Sequence, residues 1–325
     1  FNNRLRITTD YYKKKTTDLL YSVAVPATSG YQTMLKNIGS IENQGYELSI
    51  ESDNLTGAFS WTTAFNIAFN RNKVLELGGE EYKEMAEGDG HLKTGSVRRL
   101  IVGEPIGVFY GYRFDGIFQN EEECKQQTSS ASPIGVGLRR YKDLNGDGKV
   151  DAANDREILG DANPKFFGGL TNTFAYKGFE LNVFLQYSYG NKILNYNAME
   201  LENPTGGQNA YADMVNRWTP ENPSNIYPKA TTNRALLVSD RFIEDGSYLK
   251  LKTLSLSYSF PKINLKHIQG LRLYVTGQNL LTWTKYRGYD PEVSYRGAST
   301  LEAGEDFGGY PQSRTFMFGI KLDIK

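Results

Sequence analysis

The chain has 325 residues, and its 37 lysine and arginine residues balance 37 aspartate and glutamate residues. This balance does not support the basic surface that nucleic-acid-binding proteins carry. The single Cys124 excludes an intrachain disulfide and a cysteine zinc site, and only two histidines, His91 and His267, argue against histidine metal chemistry. The sequence begins at Phe1 within a polar–apolar alternation, so we expect a fragment whose N-terminal part is missing.

Aromatic residues are unusually frequent, with 22 Tyr, 17 Phe and 3 Trp, although the mean hydropathy is only −0.51. No run approaches the roughly 20 apolar residues that a membrane-spanning helix needs. A polar mean with many aromatic residues fits either a soluble all-β protein or an outer-membrane β-barrel, because a barrel exposes only every second residue to lipid.

Several segments alternate between apolar and polar residues with the period of a β-strand. In FSWTTAFNIAFN, Trp61 and Phe65 share the apolar face, whereas Thr62 and Asn66 share the polar face. The segments that this alternation predicts as strands are 45–52, 59–70, 179–190, 248–260, 271–279 and 315–325. Phe184 is an exception, since it is an aromatic residue on the polar face of its strand.

Two segments depart from simple alternation. In 248–260 the apolar residues are odd-numbered up to Leu251 and even-numbered from Leu254, so the phase slips near Thr253. A slip of one residue predicts a β-bulge. Helical periodicity is weak throughout, and the best candidate helix covers 209–219.

The predicted strands are joined by connections of two lengths. Short ones lie at YKG (176–178) and SFPKI (259–263). Long polar ones, without an evident core of their own, cover 78–97, 120–164, 191–241 and 290–313. Outer-membrane barrels have this asymmetry, with short periplasmic turns and long extracellular loops. The Tyr, Phe and Trp residues at the ends of these strands also resemble the aromatic girdles of such barrels. The pattern favours an all-β, antiparallel transmembrane β-barrel, and a soluble β-sandwich stays an alternative.

The long loop 120–164 contains DLNGDGKVDAAND (143–155), whose first half has the spacing of an EF-hand calcium loop. Alternate oxygen-bearing residues converge on a hard cation there because the turn at Gly148 folds them inward. The candidate calcium ligands are Asp143, Asn145, Asp147, Lys149 (by its backbone carbonyl), Asp151 and Asp155. Position 12 of the loop is Asn154, so the acid Asp155 comes one residue late. We expect structural Ca²⁺ that stiffens a surface loop, and the alternative is an Asx- and Gly-rich turn that needs no metal.

Five blocks of sequence, in order over nearly the whole chain, together resemble the C-terminal half of SusC/RagA-type TonB-dependent receptors. The blocks are NIGSIENQGYELSI (37–50), VGEPIGVFYGYRFDGIFQ (102–119), DLNGDGKVDAANDREILGDANPKFFGGLTNTFAYKGFELNVFLQYSYG (143–190), DGSYLKLKTLSLSYSFP (245–261) and LRLYVTGQNLLTWTKYRGYDPEV (271–293). One departure is the ending KLDIK, because the family commonly ends on an aromatic residue.

The resemblance implies that residues 1–325 are the C-terminal part of a barrel of roughly 22 strands with a plugged lumen. The segment 120–164 is then a long loop with a calcium-like turn, and 191–241 is a long extracellular loop. The resemblance also implies the outer membrane of a Gram-negative bacterium, with outer-membrane lipid around the barrel and a SusD-like surface lipoprotein as its lid. Energy would come from the TonB–ExbB–ExbD complex through the missing N-terminal part. The implied cargo is an oligosaccharide or a peptide.

If this interpretation holds, the chain binds and passes cargo and performs no covalent chemistry. Aromatic faces cover sugar C–H groups, and planar polar side chains pair with hydroxyls, so the long loops supply the candidate cargo contacts. These candidates are Asn209, Tyr211, Trp218, Tyr286, Arg287, Tyr289 and Asp290, with Asn203, Asn222 and Tyr295 beside them. The alternative for each aromatic residue is an interfacial girdle or loop packing. The loop 120–164 is also a candidate surface for the lid.

Two other function classes stay open at this point. A soluble calcium-stiffened sandwich, acting as a glycan-binding or adhesin module, would explain the aromatic residues and DxNxDG, although not the alternation of short and long connections. A β-rich glycoside hydrolase would need a pair of carboxylates, and Glu121–Glu123 and Asp161 offer acids only on polar loops. The sequence also lacks a GxSxG nucleophile motif and a Walker loop. We therefore predict that the chain is not an enzyme.

Overall fold

The computed structural model describes residues 2–24, 33–85, 91–92, 94–203, 209–232, 236–260, 268–292, 295, 297 and 301–324. Eight long strands of this part form one sheet, which runs in chain order with every neighbouring pair antiparallel. They are β1 (Leu5–Ala24), β2 (Thr33–Thr56), β3 (Phe59–Leu77), β4 (Phe166–Tyr176), β5 (Phe179–Tyr189), β6 (Tyr248–Ser259), β7 (Ile268–Thr284) and β8 (Thr315–Ile324). Residues 261–263 of the predicted connection SFPKI lie outside the described residues.

The register of the sheet separates an apolar face from a polar face. Across five strands, Phe65, Leu170, Leu185, Leu251 and Leu281 are paired neighbours in one row. The predicted two-faced strands are thus confirmed, and the continuous apolar face matches the surface that a barrel turns towards lipid. The predicted exception is also present, since Phe184 pairs with Thr171 and Thr253 in the adjacent polar row.

The predicted bulge in β6 is confirmed. Leu251 and Thr253 pair with consecutive residues of β5, so Lys252 has no partner in that ladder. On the other side, the ladder with β7 is irregular at the same place, and Asn279 of β7 has a positive φ of 52°. The extra residue returns the leucines that follow to the apolar face.

The two ends of the sheet differ. The short connection between β4 and β5 consists of Lys177 and Gly178, with φ values of 46° and 87°. Two consecutive positive φ values are the geometry of a type I′ hairpin turn, whose twist matches that of the strands. All the long connections between β3 and β4, β5 and β6, and β7 and β8 emerge at the opposite end.

We call the described residues of 78–165, 190–247 and 285–314 the loop layer. Its helices are α1 (Glu121–Gln126) and α2 (Tyr196–Leu201), with 3₁₀ turns at Ala212–Asn216 and Asp240–Phe242. Its short strands are Tyr82–Glu84, Arg99–Ile101, Val108–Tyr112, Phe114–Ile117, Thr128–Ser129, Arg139–Tyr141, Lys149–Val150, Arg156–Asp161, Lys192–Asn195, Ile243–Asp245 and Glu305–Asp306. Within the described ranges, no helix combines the length and the apolar character needed to cross a membrane.

The hydrophobic core lies in the loop layer. The expectation that the long loops have no core of their own is therefore wrong. Phe109, from the connection between β3 and β4, packs in one buried cluster with Leu194, Met199, Val238 and Phe242, from the connection between β5 and β6. A second cluster contains Tyr112, Tyr141 and Val150. Apolar residues scattered through polar sequence produce no periodic pattern, which is why the sequence did not reveal this core.

The predicted helix at 209–219 is also wrong in kind and in length. The structure has a five-residue 3₁₀ turn there, Ala212–Asn216. The chain leaves helical geometry because Arg217 is extended and the N–H of Trp218 donates to the carbonyl of Tyr227, on the neighbouring segment.

Candidate functional site

A group of four charged residues, the Glu202 cluster, lies inside the loop layer. Its members are Glu202 at the C-terminal end of α2, Arg241, Glu244 and Arg287. Glu202 is fully buried, with an exposed fraction of 0%. Its Oε2 accepts hydrogen bonds from Nε and a terminal nitrogen of Arg241 at 2.9 and 2.6 Å, and its Oε1 accepts from Arg287 at 2.9 Å.

The cluster joins two connections of the loop layer, because Glu202, Arg241 and Glu244 lie between β5 and β6 and Arg287 lies after β7. Arg287 follows β7, and its guanidinium and backbone N–H donate to the two carboxylate oxygens of Glu244. Burial alone would lower the pKa of Arg287, but the hydrogen bonds to Glu244 and Glu202 raise it, so the guanidinium stays charged. A buried carboxylate requires such partners, because an unpaired charge in the interior is strongly destabilising.

Aromatic rings surround the cationic side of the cluster. The guanidinium carbon of Arg241 lies 5.1 Å from the ring centre of Tyr227 and 5.4 Å from that of Phe114. Tyr211 packs against the buried core, and burial raises the pKa of its hydroxyl. Rings beside a fixed guanidinium provide stacking surfaces and hydrogen-bond donors at the same place.

A second group, the Lys250 cluster, connects the loop layer to the polar face of the sheet. Lys250 on β6 is buried, and its amine lies 2.6 Å from Asp290 and 2.5 Å from Glu292. The amine of Lys252 lies 3.0 Å from the same oxygen of Glu292. Gln186 on β5 donates to the other oxygen of Glu292 at 3.0 Å. The loop after β7 is therefore held to the polar face of two strands.

The seven candidate cargo residues divide into an assembled group of four and three separate residues, Asn209, Trp218 and Asp290. Tyr211, Tyr286, Arg287 and Tyr289 lie near enough to influence one another electrostatically. Tyr289 is 80% exposed, whereas Tyr286 is buried and its hydroxyl donates to Asp306 at 2.5 Å. Asn209 is exposed. It lies two residues before Tyr211, at the start of the described range 209–232.

Asp290 and Trp218 are both engaged in internal contacts. Asp290 is buried and accepts hydrogen bonds from Lys250, from the backbone N–H of Glu292 and from that of Gln312. Trp218 donates its indole N–H to Gln119 at 3.0 Å. A Cβ at Gly137 would lie 2.6 Å from the Trp218 ring, and Gly137 has a φ of +80°, so glycine is required beside the indole. A cargo role for these residues stays a prediction.

The calcium-like segment is folded as a chain of Asx turns. The carboxylate of Asp143 accepts the N–H groups of Gly146 and Gly148, each at 2.7 Å. Asp155 is fully buried, and its two oxygens accept the N–H groups of Leu144 and Asp151, also at 2.7 Å. Six residues thus share four internal hydrogen bonds.

The other candidate calcium ligands lie on the exposed side of this segment. Asn145 donates to Asp147 at 2.9 Å, and Asp147 accepts the N–H of Lys149 at 2.8 Å. Two backbone N–H groups and the amine of Lys149 lower the pKa of Asp151. Within the described ranges, no group of three or more His, Cys, Asp or Glu side chains is gathered as a metal site. Oxygen ligands of the kind Ca²⁺ prefers are present, and their convergence on an ion stays a prediction.

Known proteins share this architecture. No family model matches the chain. Over 99% of its length, however, the chain is 40% and 34% identical to two TonB-dependent receptors of Formosa agariphila, and 29% identical to the TonB-dependent receptor SusC of Bacteroides thetaiotaomicron. It also superposes over 99% of its length on a structure of the RagAB peptide transporter, with a TM-score of 0.78 and 26% identity. Over nearly its whole length the chain is thus similar to one part of TonB-dependent receptors of the SusC and RagA type.

The match extends over only part of each relative. The chain spans about a third of the length of the curated receptors, 32% and 33% for the two from Formosa agariphila, and 33% of the RagAB transporter chain. The antiparallel barrel fold that the alternation favours is confirmed, since the eight-stranded sheet corresponds to the wall of an outer-membrane transporter. The comparisons favour this barrel over the alternative of a soluble sandwich. The named relatives are receptors and transporters and not enzymes.

The sequence did not indicate several charged residues of the Glu202 and Lys250 clusters. These are Glu202, Arg241, Glu244, Lys250, Lys252 and Glu292. Lys250 and Lys252 had a visible signal, because they occupy polar positions in a strongly alternating strand of a receptor barrel. The acids and arginines of the loops had none, since their partners lie in other connections.

Proposed function

We propose that this chain is part of an outer-membrane active transporter of the SusC type, in a Gram-negative bacterium, which imports oligosaccharides or peptides. A SusD-like lipoprotein covers the extracellular mouth. The TonB–ExbB–ExbD complex supplies energy through a part of the receptor outside this chain. The chain itself forms barrel wall and extracellular loops and contributes binding and passage.

One observation carries the proposal. A sheet with one apolar and one polar face bears an ordered, charged loop layer at one end only, and the whole arrangement superposes on a peptide transporter. An apolar outer face suits lipid, and a polar inner face suits a water-filled or plugged lumen. The long-loop end then faces outward, where cargo arrives.

The Glu202 cluster supports a binding role for this end. Arg287 is oriented by two carboxylates, and the exposed ring of Tyr289 lies near it and near Tyr211. A ring covers apolar C–H surfaces of a sugar or a side chain, and a guanidinium donates to hydroxyls or carboxylates in a fixed fork. Preorganised groups of this kind lose little conformational entropy when cargo binds.

The loop 120–164 has a supporting role in this proposal. Its Asx-turn segment is held by internal hydrogen bonds, and Ca²⁺ bound by Asp143, Asp147 and Asp151 would stiffen it. A rigid projecting loop offers the lid lipoprotein a fixed surface to contact. This role rests on the oxygen-rich composition of the segment and on its position in the loop layer.

Uptake by living cells tests the transporter proposal. The gene for the intact receptor is deleted, and the uptake of labelled oligosaccharide and labelled oligopeptide mixtures is compared with that of cells given the gene back. We expect deletion to abolish the uptake of one cargo class, and inactivation of TonB to have the same effect. Normal uptake of both classes after deletion, or uptake that does not depend on TonB, would overturn the proposal.

A further inference from the structure

A small cavity lies inside the loop layer, between two of its connections. Its volume is about 40 Å³. Arg139 and Tyr141, from the connection between β3 and β4, line it on one side. Asn203, Pro228 and Leu236, from the connection between β5 and β6, line it on the other. One water molecule needs about 10–15 Å³ of such space, so the cavity has room for a small ion and not for a sugar ring.

Arg139 is the one charged residue among the described residues that line this cavity. It is 8% exposed. A terminal nitrogen donates to the backbone carbonyl of Glu202 at 3.0 Å, and the ring centre of Phe242 lies 5.7 Å from the guanidinium carbon. Within the described part of the chain, the buried Nε of Arg139 has no hydrogen-bond acceptor, and no carboxylate forms an ion pair with this residue.

The neighbouring Glu202 cluster does not neutralise Arg139. Its two carboxylates pair with its own two guanidiniums, and both oxygens of its buried glutamate already accept from Arg241 and Arg287. The segments next to the cavity in the chain add no acid, since residues 204–208 are PTGGQ and residues 233–235 are NRA. One positive charge in this part of the loop layer is therefore without a counter-charge.

The charge of Arg139 persists in this environment. Burial lowers the pKa of its guanidinium more than the nearby Tyr141 and Glu202 raise it. Arginine nevertheless stays protonated in folded proteins. A buried charge without a partner is strongly destabilising, so this guanidinium requires an anion that the described protein does not supply.

We propose that this cavity binds one monovalent anion of about the size of chloride. The guanidinium of Arg139 donates to the ion, and Asn203 and Tyr141 bring an amide and a hydroxyl to the same cavity. A single negative charge balances the unpaired guanidinium, whereas a water molecule would leave it unbalanced and a divalent anion would reverse the imbalance. The ion would then hold together the connection after β3 and the connection after β5.

Bromide identifies such a site directly. It has the charge of chloride and a similar size, and its anomalous scattering distinguishes it from water. Crystals of the intact receptor grown in sodium bromide should show an anomalous peak within hydrogen-bonding distance of the Arg139 guanidinium. The absence of bromide at this place would overturn the inference.

Hydrogen exchange in solution shows whether the ion stabilises the loop layer. The intact receptor in mild detergent is compared in sodium chloride and in sodium gluconate at equal ionic strength, because gluconate is too large for the cavity. Exchange of the backbone amides at 139–141 and 236–238 should slow about tenfold for a tenfold rise in chloride above its dissociation constant, since the ion binds only the closed site. Equal rates in the two salts would contradict the inference. A bromide peak without an effect of chloride on exchange would mark an adventitious ion only and would also overturn it.

Two neighbouring arginines provide the test variant and its control. Arg139→Gln removes the charge and keeps an N–H donor, so exchange should no longer depend on chloride. Arg140→Gln is the matched control, because the side chain of Arg140 is 30% exposed and pairs with Asp115 and Glu123. This control should keep the chloride dependence, and a chloride effect that persists in Arg139→Gln would overturn the inference.

The result is decided even if Arg139→Gln does not fold. The bromide and exchange measurements use the unaltered receptor, and neither needs the variant. They also need no cargo, so their outcome is independent of the proposed transport function.

Discussion

The amine of Lys250 on β6 lies 2.6 Å from Oδ1 of Asp290, although the two residues are 40 positions apart in the chain. Both side chains are buried. The contact fixes the loop after β7 to the polar face of the sheet. One lysine thereby couples the barrel wall to the segment that contains Tyr286, Arg287 and Tyr289.

Removal of Lys250 should loosen that loop. Lys250→Met keeps most of the side-chain volume but leaves Asp290 and Glu292 without their main cationic partner. Breaking a buried ion pair by removing one member typically costs about 3–5 kcal/mol. We expect a lower unfolding temperature of the intact receptor in detergent, together with faster protease cleavage after β7.

Lys252→Met is the matched control for this change. Its amine contacts Glu292 at 3.0 Å from a more exposed position, with 24% of the side chain accessible against 2% for Lys250. The control should lose no more than about 1 kcal/mol, as partly exposed ion pairs do. Equal destabilisation by the two variants would show that the Lys250 contact does not anchor the loop.

The same contact predicts a pH dependence. Burial acts to raise the pKa values of Asp290 and Glu292, but hydrogen bonds and charge from the lysines outweigh it and lower both. A carboxyl group whose pKa is lowered by folding stabilises the protein above its unfolded pKa, about 4, and this stabilisation is lost as pH falls through the folded pKa. It is therefore complete at pH 7 and declines below about pH 4.

The gap in unfolding temperature between the unaltered receptor and Lys250→Met measures this effect. Titration from pH 7 to pH 3 should narrow the gap, because protonated carboxyl groups no longer need the lysine. A gap that stays constant over this range would mean that the two carboxylates do not carry the linkage.

Two neighbouring tyrosines should respond differently to mutation. Tyr289 is exposed near Arg287, so Tyr289→Ala should weaken cargo binding about 3–10-fold, the usual value of one aromatic contact, and leave stability unchanged. Tyr286→Phe removes a buried hydrogen bond to Asp306 and should cost about 1–3 kcal/mol of stability. Calorimetry with cargo and thermal unfolding separate the two effects.

Tyr310→Ala alters another exposed ring and should change neither cargo binding nor stability. A loss of cargo binding as large as that of Tyr289→Ala would remove Tyr289 from the site.

The strands could be predicted from the sequence because their pattern is local. Alternation places 59–70 correctly inside β3, and the slip near Thr253 locates the bulge in β6, since a period of two is visible within a few residues. β1 and β4 were not among the predicted segments, and β1 contains three consecutive lysines at 13–15 that interrupt the alternation.

The loop layer could not be predicted in the same way. Glu202 and Arg287 form an ion pair across 85 positions, and nothing near either residue in the sequence indicates its partner. Tyr286 and Asp290 have the residue types of cargo contacts, yet tertiary packing buries both of them. Side-chain chemistry is visible in a sequence, whereas burial in loops depends on contacts between distant connections.

The Asx-turn segment should depend on Asp155. Both of its carboxylate oxygens accept backbone N–H groups, so Asp155→Ala leaves two partly buried donors without acceptors. A loss of about 1–3 kcal/mol per donor would unfold the segment locally. Asp147→Ala, an exposed change in the same segment, is the control and should have a smaller effect. Limited proteolysis between residues 143 and 161 reports the difference, and equal cleavage of the two variants would contradict it.

Calcium should stabilise this segment beyond its hydrogen bonds. The prediction comes from the spacing of Asp143, Asn145 and Asp147, since such oxygens at alternate positions are the ligands of an EF-hand loop. Excess Ca²⁺ should slow proteolysis of residues 143–161 in the intact receptor relative to the same protein with chelator, whereas Mg²⁺ should not, because it is smaller and demands near-ideal octahedral geometry. Asp143→Asn with Asp147→Asn should abolish the calcium effect and keep part of the turn, since each amide oxygen can still accept one N–H group, although position 143 loses one of its two acceptors. Identical cleavage with Ca²⁺ and with chelator would mean that the Asx turns hold the loop alone, and the carboxylates of Asp143 and Asp147 would then serve only as acceptors for Gly146, Gly148 and Lys149.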